Sequence, residues 1–185
     1  MTTRWISIEG CHATGTTTAA DTLAAALRAA GHDARAYHHE PHPAGATGLA
    51  RVCHYERTRE RLRCGAVMRD GRPVVIVMDR GPWSGLVHAL ALEAADTRRL
   101  DSGHSVAAME LALWWDGLPV VCLDASDATL DARLLLRGED PRQSHGERAQ
   151  WRRLAARERW PVVDTGRARE AVAGDLLAWA LRVLA

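Results

Sequence analysis

Hydrophobic and polar positions follow two alternating patterns along the chain. Short apolar runs, several of them β-branched, recur between longer Ala- and Leu-rich amphipathic stretches. RWISIEG (4–10), DARAYHHE (33–40), VVIVMD (74–79), LPVVCLD (118–124) and WPVVD (160–164) are predicted strands. The third is apolar at nearly every position, as expected of a strand buried on both faces of a sheet. Helices are predicted over 16–30, with Gly31 as C-cap, and over 49–70, 83–96, 104–115, 128–138, 147–158 and 167–184. PHPAGATG (41–48) and EDPRQSHG (139–146) read as loops. Alternation of this kind, without repeats or low-complexity linkers, predicts one α/β domain over residues 1–185. Its expected form is a three-layer fold, a five-stranded parallel sheet with helices on both faces.

Composition narrows the function classes. The net charge is +1 over 185 residues, so no basic surface for nucleic acid is expected. No apolar run reaches membrane-spanning length, and the first ten residues are too short and polar for a signal peptide. Cys11, Cys53, Cys64 and Cys122 form no C-x-x-C pair, which fits reduced thiols in the cytoplasm. HHEPH (38–42) has metal-capable side chains, but strand alternation sends His38 and His39 to opposite faces, so no metal is expected there. The tryptophans at 114, 115, 151, 160 and 179 are expected to pack in the core.

GCHATGTTT (10–18) carries the chemistry. Gly10, Gly15 and Thr17 have the spacing of a phosphate-binding P-loop, G-x-x-x-x-G-K-[ST], directly after a strand. Backbone N–H groups of Gly10, Ala13, Thr14, Gly15, Thr16, Thr17 and Thr18 are expected to cradle donor phosphates, helped by the positive end of the following helix. The Thr17 hydroxyl is the expected Mg²⁺ ligand. The lysine position is Thr16. All 24 basic residues are arginine, so no lysine elsewhere can replace it. Drift away from lysine codons would most simply leave arginine, and a neutral threonine removes the charge altogether.

Other pieces occur in a recognisable order: Glu40-Pro41 after the second strand, Arg57 on the next helix, MDRG (Asp79, Arg80), LD (Asp124), DARLLLRGEDPR and VVDTGR. With ISIEGCHATGTTT they resemble the thymidylate kinase branch of the P-loop nucleoside-monophosphate kinases over essentially the whole chain. The resemblance implies an ATP-dependent phosphotransferase using Mg²⁺, a homodimer, and a nucleotide or nucleotide-like acceptor. It implies Asp79 beside the metal (through water) and the nucleophile. An acceptor site would include Glu9, His12, Glu40, Arg57, Arg80 and Trp83. A lid near 137–148 would bring arginines over the transferring phosphoryl group. Arg133 and Arg137 share a helix face, Arg142 follows on the loop and Arg148 on the next helix. An arginine delivered to the transition state contributes roughly 10³–10⁵ in rate, enough to offset a missing lysine. Cys53 stands where the family stacks the acceptor base, and His12 where it often has an acid, so thymidine monophosphate is not the expected acceptor. Two other readings share these residues: a non-catalytic nucleotide-binding or regulatory protein, and a nucleotide hydrolase.

Overall fold

The structure, a computed structural model, describes residues 3–38, 74–81, 83–94 and 117–185. The helices expected at 49–70 and 104–115 lie outside the described residues, as do Glu40, Cys53 and Arg57. Five strands, β1 (Arg4–Gly10), β2 (Asp33–His38), β3 (Val74–Asp79), β4 (Val120–Asp124) and β5 (Val162–Asp164), pair in the order β2-β3-β1-β4-β5. Every pairing is parallel. The described helices are α1 (Thr16–Ala29), α2 (Trp83–Ala94), α3 (Asp127–Leu136), α4 (His145–Glu158) and α5 (Arg169–Leu184). This is the expected α/β architecture, a five-stranded parallel sheet flanked by helices, as in P-loop kinases.

Strand period decides which helix each side chain meets. On one face of the sheet, Ile6 and Ile8 of β1 and Val75 and Val77 of β3 pack with Leu23 of α1 and Leu176 of α5. On the other, Cys122 of β4 joins Val87 of α2, Leu130 of α3 and Trp151 of α4. The same period places the strand-end acids. Asp79 continues the Val75–Val77 side and reaches α1, where the Thr17 hydroxyl donates to it at 2.6 Å. Asp124 continues the Cys122 side and reaches α4, where Arg152 Nε donates to it at 2.8 Å. The two carboxylates flank the end of β1 and serve different faces.

The candidate functional site

Glycine is required where the loop leaves β1. A Cβ on Gly10 would lie 2.6 Å from Thr14 Oγ1 and 2.8 Å from the Leu123 carbonyl oxygen. The Thr14 hydroxyl folds the loop back by donating to the Cys11 carbonyl at 2.8 Å. Ala13 (φ 67°) and Gly15 (φ 89°) take left-handed backbone, and Gly15 starts α1 without a side-chain cap. No cap side chain therefore occupies the first N–H groups of α1, which face the loop with the positive end of the helix behind them. Thr16, in the lysine place, is buried, while Thr17 and Thr18 are exposed.

Asp79 is the centre of a polar chain that joins three elements. It accepts from Thr17, and its Oδ2 lies 2.9 Å from His38 Nδ1, whose Nε2 in turn lies 3.0 Å from Asp21 Oδ1 on α1. Ionised carboxylates only accept, so the two contacts favour a proton on each ring nitrogen and with it the imidazolium form of His38. Its pKa is accordingly raised, chiefly by the bond to Asp79, although burial opposes this. Burial also acts to raise Asp79, but hydrogen bonds from Thr17, His38 and Thr16 outweigh it and the pKa is lowered. Asp79 Oδ1 is buried without a hydrogen-bond partner among the described residues. A hard cation uses such an oxygen together with a hydroxyl like that of Thr17, so the pair fits Mg²⁺.

Beside the loop lies a cavity of about 300 Å³. Thr14, Gly15, Thr18 and Thr22 form one wall, with Arg133, Arg137, Arg167 and Arg169 around it. The four expected lid arginines have different roles in this conformation. Arg133 is a tie: it donates to the Ala13 carbonyl (3.1 Å) and to the Thr165 hydroxyl (3.1 Å) and carbonyl (2.7 Å). Arg137, just after α3, borders the cavity and is exposed. Arg142 is 84% exposed and paired with Asp140 at 3.0 Å. Arg148 is not on the lid surface but buried, 2.6 Å from Asp131, where it fixes α4 to α3.

The described acceptor candidates also separate. Glu9 is fully buried, its carboxylate turned to the segment after β3. One oxygen accepts from Gly81 N–H (2.7 Å) and the Ser7 hydroxyl (3.0 Å), the other from the Ser84 hydroxyl (2.8 Å). Burial pushes its pKa up to about 7 despite these bonds. Arg80 is half-buried and near enough to Glu9 and Cys11 for its charge to act on both. It has no ion pair among the described residues. Trp83 packs edge-on against Trp160, ring centroids 5.0 Å apart, and so is engaged in the core. His12 is half-exposed, 3.6 Å from Glu147 of α4.

No model of a known protein family matches the sequence, and no curated protein matches it either. Among solved structures, the fold is similar to that of the YorR protein of Bacillus subtilis, crystallised in complex with phosphorylated GDP. The TM-score is 0.62 at 14% identity, covering 96% of this chain and 95% of YorR. The two chains share a fold.

Sequence reasoning missed Asp21 and the bridging role of His38. The signal is the parallel register, in which His38 pairs with Asp79 across β2 and β3. Register depends on how the strands assemble, and neither strand carries it alone. Arg167 lies in the VVDTGR piece already singled out, whereas Arg169 was not noticed because nothing in its local pattern separates it from solvated charges.

Proposed function

We infer that this chain is a phosphotransferase moving the γ-phosphoryl group of ATP to a nucleotide or nucleotide-like small molecule. The observation that carries this reading is the Thr17 hydroxyl on Asp79 at 2.6 Å, at the mouth of an uncapped Gly-loop helix. A loop of this kind binds anions through oriented N–H groups. The adjoining cavity offers room for the donor nucleoside, walled by threonines and by Arg133. Thr17 and Asp79 would hold Mg²⁺, which neutralises charge on the donor phosphates when bound. Arg80 would take an anionic group of the acceptor, with Arg57 and the Glu40 loop completing that side. Arg137 and Arg142 would close over the phosphoryl group and supply the charge that Thr16 lacks. The same reading carries a homodimer and a cytoplasmic setting. Among the described residues, no helix is long and apolar enough to cross a membrane.

One observation favours a second reading, a nucleotide-binding regulator without catalysis: Thr16 is buried and neutral where the lysine would stand. Thermal shift and turnover separate the two. At about 100 times its Kd, Mg²⁺–ATP should stabilise the chain by about 2.7 kcal/mol, or roughly 5–10 °C in Tm. Thr17→Ala and Asp79→Asn should each remove most of the Mg²⁺-dependent part of that shift. ATP consumption is then screened against nucleoside monophosphates and nucleosides. Binding without turnover of any acceptor selects the regulator, and no shift with any nucleotide removes both readings.

A further inference from the structure

The turn after β3 carries Arg80, and its backbone is strained there. Arg80 has φ 61°, a left-handed conformation that is strained for a non-glycine residue and persists only where its surroundings impose it. Two bonds from β1 impose it here. Arg80 N–H donates to the Ile8 carbonyl at 2.9 Å, and Gly81 N–H donates to Glu9 at 2.7 Å. The second Glu9 oxygen accepts the Ser84 hydroxyl at 2.8 Å, and Ser84 N–H reaches the Gly81 carbonyl at 3.2 Å, which begins α2. Residue 81 is pressed against this seat. A Cβ there would lie 2.5 Å from the Ser7 hydroxyl and 2.7 Å from the Glu9 carboxylate.

We propose that Glu9 is a positioning residue, its buried carboxylate fixing the Arg80–Ser84 turn so that the Arg80 guanidinium is presented to an acceptor phosphate. The proposal rests on the reading of Arg80 as an anion site. A carboxylate suits this seat because its two oxygens accept from several donors at once, and each bond to a charged acceptor is stronger than one between neutral groups. Nothing in this arrangement requires Glu9 to touch the ligand. Its effect passes through the backbone of residues 80 and 81.

The test titrates inorganic phosphate into the full chain saturated with Mg²⁺–ADP, so that the loop is filled, and follows the ³¹P line width of the phosphate. Arg80→Ala is the reference and should weaken phosphate by about tenfold, the loss of one charged hydrogen bond. Glu9→Ala should weaken it as much, and Glu9→Gln, which retains an acceptor for Gly81 N–H, should recover most of the loss. Gly81→Ala leaves Glu9 intact yet displaces the turn, and should match Glu9→Ala. It decides the matter should Glu9→Ala fail to fold. Phosphate affinity unchanged in Gly81→Ala and in a folded Glu9→Ala, with Arg80→Ala defective, overturns the proposal. The Gly81 amide proton, read in ¹⁵N-glycine-labelled protein, checks the seat independently. It should lie far downfield in the wild type and move upfield in Glu9→Ala. A seat confirmed in this way beside an Arg80→Ala variant that binds phosphate normally would instead remove Arg80 from the acceptor site.

Discussion

Glu9 also gives the molecule a measurable pH signature. Burial raises its pKa from the ordinary 4.5 to about 7, although Ser84, Ser7 and Gly81 N–H all donate to it. Between those two values the folded chain keeps a proton that the unfolded chain has released. Stability therefore falls as pH rises from 4.5 through 7 and stays at the lower level above that, by at most about 3 kcal/mol from this group. Glu9→Gln does not titrate. Urea midpoints measured at pH 5 and pH 8 should show the variant gaining on the wild type at the higher pH, and parallel curves would contradict the assignment. The role of this acid was not legible in the chain. As a glutamate before a Gly-rich loop it reads equally well as an arginine partner or a ligand group. Two of its three partners, Gly81 and Ser84, arrive from more than seventy residues away. The place of Thr17 in the first turn of α1 was legible because it follows from spacing within one loop.

At the scale of elements, α3 is tied to the Gly10–Gly15 loop through Arg133. Its bonds to Ala13 and Thr165 link three segments: the loop, α3 and the turn after β5. Arg133→Ala removes all three at once and leaves two carbonyls short of a donor. It should cost about 1–3 kcal/mol of stability, measured by urea denaturation, and should weaken ATP because the cavity wall loosens. Full ATP affinity in a stable variant would make Arg133 a bystander. β1, β3 and β4 fell where expected because their apolar runs are short and buried on both faces, whereas β2 and β5 are only partly buried and are marked by the turns around them. Element ends moved for local reasons that the sequence does contain. The loop expected at 139–146 includes a 3₁₀ turn, Pro141–Ser144, because Asp140 caps it by accepting Arg142 N–H at 3.1 Å and Pro141 starts it. The last helix begins at Arg169 and not at 167, after a turn in which Gly166 N–H donates to Asp164 at 2.8 Å. The contacts of Arg133 could not be read this way, because they depend on where three segments meet.

For the whole molecule, the sheet order places the loop in the crevice where ligands collect in open α/β folds. β1 lies between β3 and β4, and the carboxyl ends of all three converge beside the Gly10–Gly15 turn. On the proposed reading, a loop without lysine needs charge from elsewhere at the donor phosphates, and the segment after α3 offers a route. Arg142 is held by Asp140 in a surface pair, which water and salt screen. Releasing it to a phosphate therefore costs little, whereas Arg133 and Arg148 are bound into the frame and cannot be released cheaply. Asp140→Ala should leave ATP affinity unchanged and hold or raise kcat, since it frees the arginine in advance. On the proposed reading, in which Arg142 meets the donor only after the segment folds over it, Arg142→Ala should lower kcat by tenfold or more with ATP affinity intact. Steady-state rates and ATP titrations on the two variants decide this. If Arg142→Ala keeps full kcat and Arg137→Ala loses it, the compensating charge comes from the cavity rim and not from the segment beyond it.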